Sequence, residues 1–72
     1  MTEYREDYAI QSLMPEFGGW VHIDGVKDFF FPGHFRRLEE AQDVIRRIET
    51  HHPTGREYRI VKRLVTEWEV VA

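Results

Sequence analysis

The chain contains no cysteine. Disulfide staples, thiolate metal sites and a cysteine nucleophile are therefore excluded, and the redox environment is left open. Serine occurs once, at Ser12, inside a segment that reads as strand. The threonines, Thr2, Thr50, Thr54 and Thr66, show no base-and-orienter pattern, so nucleophilic catalysis lacks its parts. No Gly-rich phosphate loop of Walker or dinucleotide type occurs. No apolar run approaches the roughly 18 residues of a membrane span. The opening MTEYREDY is acidic rather than a basic-then-apolar leader. These absences point away from an enzyme, a cofactor or a membrane, and toward a cytoplasmic protein that acts by binding.

With 72 residues there is room for one domain, 1–72. A domain this small buries only roughly 60 to 65% of the surface its unfolded chain exposes. Residues 1–7 are polar and carry no turn or helix signal, which reads as a frayed end.

Tyr8 to Met14 alternates Tyr8, Ile10, Ser12 and Met14 against Ala9, Gln11 and Leu13, the pattern of a strand with both faces partly covered. PEFGG, Pro15 to Gly19, is a turn region in which proline removes a donor and the glycines permit positive φ. A second strand follows at Trp20 to Ile23. Asp24-Gly25 between WVHI and VKDFFF is the dipeptide of a tight hairpin, which predicts a third strand at Val26 to Phe31. Alternatively, Asp24 onward is loop.

From His34 the period changes to that of a helix. Leu38, Ala41, Val44, Ile45 and Ile48 share one stripe, Glu39 and Glu40 sit early, and Arg46, Arg47, His51 and His52 sit late, as the macrodipole favours. Gly33 is the candidate N-cap, and Pro53 stops the helix before a Thr54-Gly55 turn. Asp43 with Arg47, and Arg36 with Glu40, are placed for i,i+4 pairing.

Glu57 to Ala72, EYRIVKRLVTEWEVVA, fits both a strand and an amphipathic helix, and its Val, Ile, Thr, Tyr and Trp content favours strand. The expected fold is therefore a two-layer α+β domain of order βββαβ, or ββαβ if Val26 to Phe31 is loop. One small, mainly antiparallel sheet is covered on one face by a single helix. A straight strand from Glu57 to Val71 would reach roughly 48 Å, against a diameter of about 30 Å for a domain of this size. It must bend at a bulge near Lys62-Arg63, or project and meet another chain, including a second copy of itself.

The surplus of large apolar side chains selects a partner-binding set: Phe29, Phe30, Phe31 and Phe35 with Trp20, and Val65, Trp68 and Val70 on the last run. In a strand Phe29 and Phe31 face one way and Phe30 the other, so at least one ring must leave the face that the helix covers. The bland alternative is that these rings close the end of a small core.

Net charge is −3, unevenly spread: residues 1–35 carry −4, residues 36–63 carry +3 and the last nine carry −2. Arg36, Arg37, Arg46, Arg47, Arg59 and Arg63 could thus serve nucleic acid, with an aromatic ring for base stacking, although acidic residues interleave with the helix arginines. His22 and Asp24 are spaced for one strand face, as in some metal sites, but Asp24 is better explained by its turn and His51-His52 by the helix end, so no metal site is assigned.

Reading RRLEEAQDVIRRI as the helix and EYRIVKRLVTEWEVV as the last run, the chain resembles the short uncharacterised proteins encoded by actinobacterial phages and their hosts. Those pair a Trp-containing N-terminal hairpin with a LEEA-type helix and a final Y-R-I-V strand. The similarity covers Tyr8 to Val70. It implies a small phage-type accessory protein that binds a host or phage protein, and it brings no catalytic residues with it.

Overall fold

A computed structural model describes residues 6–63 and 68–71. Its elements are β1 (Asp7–Met14), a 3-10 turn (Pro15–Phe17), β2 (Gly19–His22), β3 (Gly25–Val26), β4 (Phe29–Phe30), α1 (Leu38–His51), β5 (Tyr58–Arg63) and β6 (Trp68–Val70). The main sheet is antiparallel with order β2-β1-β5-β6, and β3 and β4 form a separate two-stranded ribbon. One helix packs against β1 and β5. This is the two-layer α+β arrangement that the patterning predicts, with differences in how the strands are paired.

β1 is central because its alternation serves both faces. Ile10 joins Ile23, Phe31, Phe35, Ala41, Ile48 and Ile60 in the core beneath α1, while Ala9, on the other parity, is equally buried outside that cluster. The register places Ile10 opposite Ile60, so two β-branched side chains of adjacent strands meet under the helix. Ala41 and Ile48, two turns apart, are the buried helix positions. Ser12 lies on the same parity as Ile10, and among the described residues its buried hydroxyl has no hydrogen-bond partner, a cost of about 1–3 kcal/mol that the apolar packing around it must offset.

β1 starts at Asp7, which is itself buried, so the ordered strand reaches into the segment expected to fray. The PEFGG turn forms a 3-10 turn closed by the bond from Gly18 N–H to Pro15 C=O, with Gly18 at φ 93°. That left-handed conformation is the one for which glycine was needed.

Asp24-Gly25 is not the hairpin turn. Ile23 N–H bonds to Ile10 C=O, which keeps the chain on β1 beyond the end of β2, and Gly25 then opens a new strand. The expected strand from Val26 to Phe31 is instead broken by a two-residue loop, Lys27-Asp28, with Lys27 at φ 52°. Gly25 is needed for proximity rather than for a positive φ. A Cβ there would stand 3.0 Å from Phe30 Cδ1 and 3.2 Å from Phe29 C=O, the facing strand of its own ribbon. The ribbon is pinned to the far end of α1: Lys27 Nζ donates to Pro53 C=O at 3.1 Å, Asp28 lies 3.5 Å from His52 Nδ1, and the Phe29 and His52 rings stack at 4.9 Å.

After the ribbon the chain returns to β1. Tyr8 and Phe35 exchange both backbone bonds, at 2.7 and 2.6 Å. The edge of β1 away from β5 is thus shared by β2 and by this bridge. Holding Phe35 extended delays the helix to Leu38, with Arg37 in the N-cap position and no side-chain cap. The Gly33 cap is therefore corrected, and Arg36 falls outside the helix. Asp43 pairs with Arg46, at 3.0 Å, rather than with Arg47.

The final run is neither a long bent strand nor a projecting one. It doubles back: β5 and β6 pair antiparallel, Val61 opposite Val70, Lys62 opposite Glu69 and Arg63 opposite Trp68, and Val71 N–H reaches Ile60 C=O. Reversal solves the length problem that the bulge was invoked to solve. It also inverts parity, since Val70 now opposes Val61 and shares its sheet face instead of that of Ile60. Val65 lies outside the described residues.

Candidate functional site: the sheet face away from the helix

α1 and the β3–β4 ribbon both pack on the side of Ile10 and Ile60. Among the described residues, no helix covers the opposite side. The side chains there are set by pairing register. Gln11 stands between His22 on β2 and Arg59 on β5, Leu13 beside Trp20, Ala9 beside Val61, and Asp7 beside Arg63.

Arg59 organises this face. Its guanidinium carbon lies 4.3 Å from the centroid of the Trp20 ring, and its Nε–H donates to Gln11 Oε1 at 2.7 Å. Trp20 is two strands away from Arg59, a backbone separation of about 10 Å. Only long side chains reaching across β1 can meet over that gap. The cation–π contact contributes about 0.5–1 kcal/mol for a half-exposed pair. The hydrogen bond from Arg59 also satisfies the amide oxygen of Gln11, which is otherwise buried.

Arg63 approaches Asp7 at 3.7 Å. Its charge is also felt across the sheet: the His22 imidazole has its pKa lowered from the ordinary value, first by partial desolvation and then by Arg63. A histidine whose folded-state pKa is depressed favours the fold above its unfolded pKa and loses that contribution as pH falls. Wild type should therefore lose more stability than His22→Gln between pH 7.5 and pH 5. Urea midpoints at the two pH values measure this, and equal losses would show that His22 is not held against protonation.

The aromatic set chosen from the sequence divides in three. Phe31 and Phe35 are 8% and 6% exposed and belong to the core, so neither can touch a partner in this fold. Phe29 is half-buried against the core and His52. Phe30 is 77% exposed at the ribbon, and Trp20 lies with Arg59 on the sheet face away from the helix. Val70 is 53% exposed, and Trp68 begins β6 opposite Arg63. Phe17, 74% exposed on the 3-10 turn, had no sequence signal beyond its own identity.

The basic zone divides as well. Arg36 and Arg37 precede α1, and Arg46 and Arg47 border a shallow concavity on the outer helix with Asp43, Thr50 and His51. Arg59 and Arg63 lie beyond the sheet, on the opposite side of the domain, so the six arginines do not form one surface. Among the described residues, no three His, Cys, Asp or Glu side chains gather in a metal-binding group, and no helix is long and apolar enough to cross a membrane.

No protein-family model, curated protein or solved structure matches the chain. The site's reading therefore rests on its geometry.

Gln11, Leu13 and His22 were absent from the sequence-derived site because their role depends on register. Arg59 and Arg63 were in it, but for a phosphate backbone. The alternation of β1 and β5 carried the relevant signal: on each strand the residues between the core positions are long and polar or large.

Proposed function

We propose that this chain is a small non-enzymatic protein-binding module. The observation that carries the reading is the pair of Trp20 and Arg59 on the sheet face away from the helix, which are held together in advance. Trp and Arg dominate binding hot spots because each combines apolar contact area with directed polar groups. Gln11 fixes the Arg59 side chain before any partner arrives, which lowers the ordering cost of association.

The resemblance to actinobacteriophage proteins adds the wider setting: a phage-type accessory protein that inhibits or modulates a host protein, in the host cytoplasm. A second copy of the chain is another partner in keeping with this reading. β6 is an edge strand, and its outward backbone groups can pair with the same strand of a second protomer. The nucleic-acid alternative, using Arg36, Arg37, Arg46, Arg47, Arg59 and Arg63, is weakened by their division between opposite sides.

Affinity capture from an actinobacterial lysate, with Trp20→Ala as the matched control, tests the reading. One or a few proteins should be retained by wild type and depleted at least tenfold by the variant. Identical captures by the two, or none, would overturn it. Sedimentation equilibrium decides the second-copy form: a mass twice the 8.7 kDa of the chain supports it, and a mass of 8.7 kDa confines the module to foreign partners.

A further inference from the structure

We infer that the β5 edge beyond the end of β6 binds an extended segment of a partner protein, which pairs with the Tyr58 backbone and sets one branched aliphatic side chain against Ile45 and Ile60. This site lies at the sheet edge beside α1, apart from Trp20 and the Arg59 guanidinium, and does not depend on them.

Pairing parity leaves the Tyr58 backbone without a neighbour. Leu13 N–H donates to Glu57 C=O, so Glu57 turns its backbone groups toward β1. Val71 N–H donates to Ile60 C=O, so Ile60 turns its own toward β6. Tyr58 has the parity of Ile60, and its N–H and C=O therefore leave the strand by the same edge. They stand one step past the last described β6 bond, and among the described residues nothing pairs with them.

A groove of about 240 Å³ opens beside this edge, lined by Gln42 and Ile45 of α1 and by Tyr58, Arg59 and Ile60 of β5. Ile45 is half-buried and Gln42 exposed. The Tyr58 hydroxyl shares a hydrogen bond with Thr54, which limits movement of its ring.

β6 shows how a strand sits on this edge. Val70 faces Val61, which puts Val71 opposite Ile60 on the helix side. Along the same line, the next position on that side falls opposite Tyr58, and directly opposed residues share a face. A residue placed there exchanges both backbone bonds with Tyr58 and sends its side chain into the groove.

The lining selects the occupant. Arg59 is the one charged residue of the five, and its guanidinium lies on the other face, over Trp20. A phosphate backbone therefore meets no cation among these lining residues. A free apolar molecule would cover Ile45 and Ile60 but leave the Tyr58 donor and acceptor unmet. An extended peptide meets both, because an unpaired strand edge is a template for another chain. Affinity then comes from the backbone bonds and selectivity from the side chain, for which the aliphatic walls favour Val, Ile or Leu.

The test pans a displayed library of random 12-residue peptides on the immobilised full chain. Enriched sequences are then measured as synthetic peptides by fluorescence anisotropy, and Tyr58 amide hydrogen exchange is followed by NMR. Enriched peptides should share a Val, Ile or Leu in a stretch without proline. Their dissociation constants should rise at least tenfold when that residue is replaced by glycine, when its amide is N-methylated, and in Gln42→Trp, which fills the groove from an exposed position. They should stay within twofold in Phe30→Ala, and bound peptide should slow Tyr58 exchange at least tenfold. Circular dichroism confirms that each variant is folded. No enrichment, or peptides indifferent to N-methylation and to Gln42→Trp, would overturn the inference and leave the lysate capture to decide the Trp20–Arg59 site. Peptides that lose affinity in Trp20→Ala but not in Gln42→Trp would overturn it while supporting that other site. A Tyr58 amide already protected without peptide would overturn it too, because another part of the chain or a second copy would then hold the edge.

Discussion

Replacing Ile10 with alanine should lower the unfolding free energy by about 2–5 kcal/mol, the range for truncating a large buried aliphatic side chain. Ile10 is fully buried, faces Ile60 across the β1–β5 register and shares a cluster with Ala41 and Ile48 of the helix. Strand pairing on both sides of β1 and the helix above it limit how far the structure can collapse into the cavity. At about 0.05–0.15 kcal/mol per residue, a 72-residue domain has only about 4–11 kcal/mol in total. A single truncation thus removes a large share of it. Urea denaturation followed by circular dichroism should show the midpoint falling with an unchanged slope. Ile10→Val should cost only about 0.5–1.5 kcal/mol. A loss below 1 kcal/mol for the alanine variant would mean that the column of Ile10, Ile60 and Ile48 is not the centre of the core.

What could be read from the sequence was local. The first strand, the PEFGG turn and the body of the helix each declare themselves through neighbouring residues, and Ile48 and Ala41 are buried where the helical stripe puts them. The misreadings share one cause, which is that the deciding contact lies far along the chain. Asp24-Gly25 has the composition of a tight turn, yet its glycine answers to Phe30 across the ribbon. Phe35 lies where the helical period was read to begin, although outside its apolar stripe, and its backbone is claimed by Tyr8. The last run contains no Gly, Pro, Asn or Asp between Tyr58 and Ala72 to announce a reversal, and the antiparallel return of β6 shows only in its pairing.

The candidate site was harder to read, for the same reason. Trp20 stood out by its size, and Arg59 and Arg63 by their charge. Nothing in a linear reading brings Arg59 over Trp20, because that contact needs β1 to lie between β2 and β5 in one particular register. A slip of one residue in β5 would send Arg59 to the helix face and Ile60 into the open. Burial of Ile60 and placement of the Arg59 guanidinium are therefore two outcomes of the same pairing: the core chooses the register, and the register builds the exposed face.

The phenylalanines separate core from surface more sharply than any other set. Phe35→Ala should cost about 3–5 kcal/mol, as for other buried aromatic truncations, whereas Phe30→Ala should fall within about 0.5 kcal/mol of wild type. Phe35 is 6% exposed, with its ring centroid 6.4 Å from that of Phe31, and its backbone closes the free edge of β1 through Tyr8. Its ring fills the space between that edge and the helix start, so truncation opens a cavity where the chain passes from sheet to helix. Phe30 is 77% exposed and has no such space to vacate. Thermal and urea denaturation of the two variants provide the comparison. A large loss for Phe30→Ala, or a small one for Phe35→Ala, would mean that the ribbon docks with the opposite parity, placing Phe30 inward. In that case Phe29 and Phe31 would turn outward with it, and the stacking of Phe29 on His52 at the end of the helix would be lost.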